Sequence, residues 1–399
     1  MINFLYSLMA VELFTGGGGR LLGLGPVTLR MGLFSVALLA TLIMYRSHPE
    51  PDRLKSLPVL LVLGFLGTHL PSVFVGLDNG ASYQDLFVDI SPMLFWLAAP
   101  FFACVLKSDA MVQRTAALIQ WCAIGLAVVY LFVFVALATG MDLLEGFHQW
   151  AENTGEISFR NHQMFFYKGF FYLGIGTVFL VSLGSRWQAV WLAAIVVAMT
   201  LTMTRGFVLA TSAAIFLLLV TMQRKRALYI ALCVMALVMY AVWIYLPSLD
   251  DGHMLVQRGI SNSIRIMDFS FIQRHFDISS LAFGEGMGTY INGRLSIENS
   301  YLTIFWKMGL VALLFWLLPI GIGLYYFLEV SRNSAAYSLA CAFFFGMVFV
   351  YVQTVSNPYL NNPIGLSFVM MAIFSLRTLA SMSSFPLKPL HKSVIQVAS

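Results

Sequence analysis

Arginines outside the long apolar segments are the residues of this 399-residue chain best suited to chemistry. Arg258 and Arg265 stand seven residues apart in a polar stretch, a spacing that puts both on one face of a helix. Arg205 stands between two apolar segments and is followed by Gly206. A guanidinium at a helix start, beside free N–H groups and the helix dipole, favours anion binding. We predict catalytic roles for Arg205 and Arg265 and substrate binding by Arg258; the alternatives are an interfacial anchor and an amphipathic helix on lipid.

An acid lies close after these arginines in the chain. Glu298 immediately precedes Asn299 and Ser300, which can cap the long apolar helix that follows. An acid at this place can stabilise the helix dipole, or it can serve as a general base. We predict that Glu298 is the catalytic base. The sequence has no Asp-x-Asp pair, so we expect neither a metal nor another cofactor.

Other polar residues lie at the ends of apolar segments. His162 could contact a glycan or cap a turn, and Lys307 lies about two turns into an apolar helix, which predicts a water-filled cavity. The glycines from Gly284 to Gly288 lack a preceding strand and the third glycine spacing of a dinucleotide site, so they indicate close backbone packing. The glycine run 16–19 reads as a flexible turn. The predicted substrate-binding residues, besides Arg258, are Arg30, Arg160, His162, Asn299, Tyr301 and Lys307.

The elements that must position these residues are membrane helices. The chain is 59% hydrophobic and 10% charged, with a mean hydropathy of +0.83, and soluble domains carry about 25% charged residues. Its apolar runs have the length of bilayer-spanning helices, which predicts an all-α polytopic membrane protein with about twelve spans. Residues 1–247 would hold nine spans, 248–299 a large extracytoplasmic loop with amphipathic helices, and 300–399 three spans and a tail. The predicted spans are 2–14, 28–45, 57–77, 92–106, 115–139, 164–183, 189–203, 207–222, 227–246, 300–327, 335–353 and 364–379.

The charges between these spans predict the orientation. Thirteen basic and four acidic residues fall on one side, a net charge of +9, whereas ten basic and fourteen acidic residues on the other give −4. The positive-inside rule makes the first side cytoplasmic, together with both termini. The large loop, the loop 140–163 and Arg205 are then extracytoplasmic. The total charge of +5 reflects topology, and we expect no nucleic acid as a partner.

The order of motifs resembles a known family. An Arg-Gly pair at the head of a span is followed by an arginine-bearing loop, by Phe-Gly-x-Gly-x-Gly, and by Asn-Ser-Tyr-Leu before a span with Gly309-Leu310. This order is similar to that of the bacterial O-antigen ligase and polymerase superfamily, and residues 16–29 resemble exopolysaccharide members. Glu298 stands where the ligases usually have a histidine, which favours an O-antigen or exopolysaccharide repeat-unit polymerase.

The resemblance implies a fold and a reaction. The fold would be that of a C-type glycosyltransferase in the bacterial inner membrane, with its active site facing the periplasm. The donor would be a glycan on undecaprenyl diphosphate, attacked at its anomeric carbon by an acceptor hydroxyl, with inversion and loss of the lipid diphosphate. The implied partners are this lipid-linked glycan, membrane lipid and a chain-length regulator protein.

Two other functions stay open at this point. One is an O-antigen ligase that transfers glycan to lipid A-core. The other is a polytopic transporter or flippase. Transporters place their coupling sites near the membrane midplane between internal repeats, whereas in this sequence we see no repeat, the charged residues crowd one side, and few of them lie at mid-membrane.

Overall fold

The computed structural model describes residues 2–21, 23–24, 27–47, 56–140, 146–159, 164–184, 186–223 and 253–383. These residues form mainly helices, joined by two short antiparallel hairpins, β1–β2 and β3–β4. The strands are β1 (Gly23–Leu24), β2 (Val27–Thr28), β3 (Ile157–Phe159) and β4 (Phe165–Tyr167). The α-helices are α1 (Ile2–Thr15), α2 (Leu29–Ser47), α3 (Leu57–Asp78), α4 (Tyr83–Ile90), α5 (Ala99–Val105), α6 (Asp109–Ala138), α7 (Phe147–Thr154), α8 (Phe171–Leu183), α9 (Gln188–Leu201), α10 (Arg205–Thr221), α11 (His253–His275), α12 (Ser300–Glu329), α13 (Tyr337–Gln353) and α14 (Pro363–Ser383).

Several of these helices are candidates for membrane spans. Within the described residues, α3, α6, α12 and α14 are long and apolar enough to cross a bilayer. Helix α4 and the helical segment Met93–Val105 meet at a bend of 42° and could together form a fifth span. Apolar helices of 10–17 residues also occur at α1, α2, α8, α9, α10 and α13. The helices agree with an all-α membrane protein, whereas the count of twelve spans stays a prediction and predicted span 227–246 lies outside the described residues.

The core is built around helices that are apolar on all sides. In α8 every residue from Phe171 to Leu180 is buried, and α13 and α14 are buried along most of their length. A helix that is hydrophobic all round needs neighbours on every side, and α8 finds them in α6, α10 and α13. This inner group fixes the ends of α10 and α13, where the candidate site lies.

Helix α12 is broken by a loop that packs into it. Gly309 has a φ of 73°, outside the helical region, and the break leaves backbone carbonyls of the preceding turn without helical partners. Glu285 N donates to Trp306 O at 2.7 Å, and Gly286 N donates to Lys307 O at 3.1 Å. Across the break, Val311 N donates to Ala282 O at 3.3 Å. The loop 282–288 therefore supplies the hydrogen bonds that the broken helix lacks.

The same loop is pressed against α3 on its other side. Met287 N donates to Ser72 O at 2.9 Å, and a Cβ added to Gly76 would lie 2.0 Å from Met287 O. A Cβ on Gly286 would lie 2.2 Å from Gly76 N, and one on Gly284 would lie 2.4 Å from the Lys307 carbonyl carbon. The glycines of this loop thus serve close backbone packing, as the sequence indicates.

Helix α11 is held over the first turns of α12 by a small apolar cluster. Ile272 of α11 is buried with Ile291, Ile297 and Trp306, and Phe276 stacks on a phenylalanine of α12 at a ring distance of 4.6 Å. An ion pair between Asp268 and the loop arginine at position 294 adds a second tie. These contacts fix the face of α11 on which Arg265 lies.

Candidate functional site

Arg205 is the first residue of α10, and its side chain is exposed. The N-cap residue Thr204 makes no side-chain hydrogen bond to the first turn, so the helix begins without a side-chain cap. Gly206 lies against the end of α13, because a Cβ there would stand 2.4 Å from Ser356 Oγ and 3.3 Å from Gln353 Nε2. An exposed guanidinium at a helix start without a side-chain cap can bind an anion.

The start of α12 also contacts the end of α13 and the residues that follow it. We call this segment, residues 353–361, the α13 turn. Ser300 N donates to Thr354 O at 3.3 Å, and Ser300 Oγ donates to Asn361 Oδ1 at 2.8 Å. The α13 turn therefore joins the N-termini of α10 and α12. The sequence between α10 and α12 gave no sign of this contact, because the contact depends on how α13 packs against both helices.

Asn299 and Tyr301 both have structural contacts here. Asn299 Oδ1 accepts a hydrogen bond from Leu302 N at 3.1 Å, so Asn299 caps α12 as its residue type predicts. The Tyr301 hydroxyl donates to Tyr351 O at 2.8 Å and ties α12 to α13. Their roles in substrate binding stay predictions.

Arg265 and Glu298 are in direct contact. Arg265 Nε donates to Glu298 Oε2 at 2.8 Å, and both side chains are about half exposed, at 48% and 47%. An exposed ion pair contributes only about 0–1 kcal/mol, so an incoming anion can replace the carboxylate at little cost. The structure thus joins two of the three predicted catalytic residues. Glu298 is exposed and paired to this arginine at the head of α12.

Arg30 is buried in the N-terminal helical hairpin. Arg30 Nε donates to Glu12 Oε2 at 2.9 Å, and its Nη2 donates to Gly17 O at 2.7 Å. Its Nη1 atom is buried and has no hydrogen-bond partner among the described residues. These contacts account for Arg30 as a link between α1, α2 and the glycine-rich turn, and its predicted substrate role stays a prediction.

The glycine-rich turn 16–20 is packed, in contrast to the flexible turn expected from its composition. Gly18 N donates to the buried carboxylate of Glu156 at 2.7 Å, and a Cβ on Gly18 would lie 2.4 Å from that carboxylate. The Tyr167 hydroxyl donates to Thr15 O at 2.5 Å. The turn therefore ties α1 to the segment around β3 and β4.

Lys307 is fully buried and paired within the protein. Its ammonium group donates to the carboxylate of Asp89 and to Leu295 O. Asp89 also accepts a hydrogen bond from Gly288 N at 2.8 Å. The sequence predicted a water-filled cavity around this lysine. The structure instead shows a buried ion pair, because the Asp89 carboxylate of α4 reaches the ammonium group.

Three predicted residues have no described side chain. Arg258 lies in α11 seven positions before Arg265, and its side chain is outside the described part of the structure. Arg160 and His162 lie outside the described residues altogether. Their substrate-binding roles stay predictions.

The structure adds residues that the sequence reasoning passed over. Gln353 and Thr354 are both fully buried, and among the described residues no hydrogen-bond partner meets the Gln353 amide atoms or Thr354 Oγ1. The available signal was a polar pair at the end of an apolar span, directly before a turn rich in asparagine and proline. That signal is weak, because span ends are commonly polar at the water interface.

Comparison with known proteins now bears on the family. The chain is 26% identical over 388 residues to an O-antigen polymerase of Shigella flexneri, covering 94% of this chain and 95% of the relative. The chain is therefore similar to an O-antigen polymerase along nearly its whole length. No family model matches it. Because the match covers nearly all of both chains, it confirms the resemblance seen in the short motifs and, with the apolar helices, supports a multi-pass inner-membrane protein of polysaccharide biosynthesis.

Proposed function

We propose that this protein polymerises undecaprenyl-diphosphate-linked oligosaccharide repeat units into a surface polysaccharide or exopolysaccharide at the extracytoplasmic face of the inner membrane. The observation that carries the proposal is the similarity to an O-antigen polymerase over nearly the whole chain. The geometry supports it, since Arg205 and the Arg265–Glu298 pair lie at the heads of α10 and α12. Both termini are cytoplasmic in this topology.

The reaction is a single displacement at the donor sugar. The acceptor hydroxyl oxygen forms a bond to the anomeric carbon while the bond from that carbon to the diphosphate oxygen breaks. The diphosphate leaves with the electron pair, and the hydroxyl proton passes to the carboxylate of Glu298. One in-line displacement inverts the anomeric centre.

The arginines stabilise the leaving group. A diphosphate gains negative charge as its bond to carbon breaks, and guanidinium groups hold such oxygens by paired, charge-assisted hydrogen bonds. Arg205 is free to do so in the described structure, whereas Arg265 is paired to Glu298. When the diphosphate binds Arg265, it displaces the Glu298 carboxylate from the ion pair. The carboxylate is then close to the reaction centre and can accept the proton. The ion pair thus couples donor binding to exposure of the base.

The test uses the native donor. Lipid-linked repeat units are isolated from cells lacking the gene and are supplied to the purified protein in nanodiscs, with products resolved as a ladder on a gel. Wild type should extend the ladder. Arg205→Lys should reduce the rate about 10²–10³-fold, as expected when one oriented donor is lost. Arg332→Lys, at an exposed arginine beyond α12, is the matched control and should leave the ladder unchanged.

The same assay decides between the alternatives. A protein that never extends the units but transfers one glycan to lipid A-core is a ligase, and one that moves the lipid across the bilayer without forming a glycosidic bond is a flippase. The proposed chain-length regulator would change the distribution of ladder lengths when added. An absent ladder in wild type, with all components active, contradicts the proposed function.

A further inference from the structure

The end of α13 carries an unusual buried amide. Gln353 is 0% exposed, and neither Nε2 nor Oε1 has a hydrogen-bond partner among the described residues. The adjacent Thr354 is equally buried, and its Oγ1 also lacks a partner there. Buried polar groups in native proteins nearly always find partners, so an unpartnered amide and hydroxyl side by side require an explanation.

The position of these groups indicates what could bind them. Gln353 Nε2 points toward the first turn of α10, 3.3 Å from where a Cβ of Gly206 would stand. Thr354 O holds Ser300 N at the head of α12. The unpartnered groups therefore lie between the two helix starts of the candidate site, next to exposed Arg205. Because Gly206 directly follows Arg205, the first turn of α10 carries both the arginine and the backbone that Gln353 approaches.

The chemistry of the amide restricts the class of group that fits it. A carboxamide offers one acceptor oxygen and two N–H donors, and in Gln353 neither end has a partner among the residues that the structure describes. A phosphate only accepts hydrogen bonds and would leave Oε1 unsatisfied, and a lipid chain would satisfy neither end. A sugar hydroxyl both donates and accepts, and Thr354 Oγ1 adds a second such contact. The pattern therefore fits a sugar ring.

We propose that Gln353 and Thr354 form a subsite for the sugar that is joined directly to the lipid diphosphate. This inference rests on the proposed function, in which Arg205 holds the diphosphate. The sugar next to the diphosphate is then the one that lies beside Gln353. The subsite binds a ring hydroxyl of this sugar and contributes to the choice of repeat unit.

The structure provides a variant that separates binding from folding. Gln353→Met keeps the side-chain length and removes no hydrogen bond within the described protein, so it should fold as well as wild type. Binding is measured in nanodiscs for two probes: the native lipid-linked repeat unit and bare undecaprenyl diphosphate. Gln353→Met should weaken binding of the repeat unit about tenfold and leave binding of the bare lipid within about twofold. Thr354→Val, which keeps the shape and removes the hydroxyl, should act in the same direction.

Two controls complete the design. Gln120→Met removes a glutamine of α6 whose Nε2 donates to Phe179 O at 3.5 Å, and it should change neither binding constant. Arg205→Lys should weaken binding of both probes, since both carry the diphosphate. Melting temperature is recorded for every variant and should be unchanged for Gln353→Met.

Each other outcome overturns the inference. Unchanged binding of both probes by Gln353→Met means that the amide holds only a buried water. An equal loss for both probes places the amide on the diphosphate, and a lowered melting temperature makes it structural. If wild type binds neither probe, the proposed function fails as well, whereas wild-type binding of both lipids with a failed Gln353→Met test removes only the sugar subsite.

Discussion

At the residue scale, the exposed pair of Arg265 and Glu298 separates a catalytic role from a structural one. Glu298 precedes the cap residue of α12, where an acid stabilises a helix by about 0.3–1 kcal/mol. Its ion pair is half exposed and adds about 0–1 kcal/mol. Neither contribution is large enough to unfold the protein when the charge is removed. A strong effect on activity would therefore come from chemistry.

We expect Glu298→Gln to fold normally and to lose about 10²–10⁴ in polymerisation rate, the usual loss when a general base is removed. The rate is measured from the product ladder, and the melting temperature verifies the fold. Glu329→Gln, at an exposed acid at the end of α12, is the control. A Glu298→Gln protein that builds the wild-type ladder at the wild-type rate would leave Glu298 with only its electrostatic role at the helix N-terminus.

The buried pair of Lys307 and Asp89 gives a second prediction at this scale. Breaking a buried pair leaves an uncompensated charge and typically costs about 3–5 kcal/mol, whereas replacing both partners is often tolerated. We expect Lys307→Met to lower the melting temperature strongly and Asp89→Asn combined with Lys307→Met to recover much of it. Thermal unfolding of the two single variants and the double variant measures the coupling.

Activity of the double variant then tests the predicted substrate role of Lys307. If the double variant regains both its melting temperature and the product ladder, the role of Lys307 is structural. A recovered fold without polymer would favour a direct role in binding, despite the complete burial of the side chain.

At the element scale, the break in α12 depends on one glycine. Gly309 has a φ of 73°, and a Cβ there would lie 2.4 Å from the carbonyl of Ala282. Its ψ is −170°, and this combination of φ and ψ is essentially restricted to glycine, so another residue is strained by about 1–3 kcal/mol before any steric overlap is counted. The loop 282–288 fits only because this side chain is missing.

We expect Gly309→Ala to displace the loop, lower the melting temperature and reduce polymer formation. Gly321→Ala lies in the same helix, has nothing within 4 Å of its Cβ position, and should be neutral or slightly stabilising, since alanine favours a helix over glycine. Thermal unfolding and limited proteolysis of loop 282–288 compare the two. Equal stability of both variants would mean that the helix closes without its inserted loop.

At the scale of the whole molecule, function depends on which side of the membrane holds the N-termini of α10 and α12. Residues 282–299 and the α13 turn lie with the heads of α10 and α12, so they share one side of the bundle. The charge pattern predicts that this side lies outside the cytoplasm. This orientation is a prediction, and the proposed chemistry depends on it.

Cysteine labelling tests the orientation. In a background with the native cysteines replaced by alanine, a cysteine at the exposed Asn292 should react with an impermeant thiol reagent on spheroplasts. A cysteine at the exposed Lys107 should react only after the membrane is permeabilised. Labelling at Lys107 in intact spheroplasts would reverse the topology and remove the proposed mechanism.

Much of the helical framework follows from the sequence. Each predicted span overlaps a helix, except 227–246, which lies outside the described residues, and the predicted span 164–183 begins with β4 before α8 starts at Phe171. Boundaries were less accurate, because hydropathy measures membrane depth and a helix can continue beyond it: α6 begins at Asp109, six residues before the predicted span. The predicted span 92–106 likewise joins a 3₁₀ helix to α5 in one half of a bent pair.

The sequence alone determined the membrane class, the helical segments and the candidate arginines, because apolar run length, charge and helix caps are properties of neighbouring residues. Only the tertiary structure decided which polar groups meet. Lys307 finds its carboxylate 218 positions away, Arg265 finds Glu298 33 positions away, and Gln353 becomes buried beside Gly206. Such partners are brought together by the packing of α8, α12, α13 and α14, and no local pattern of residues specifies a contact between distant segments.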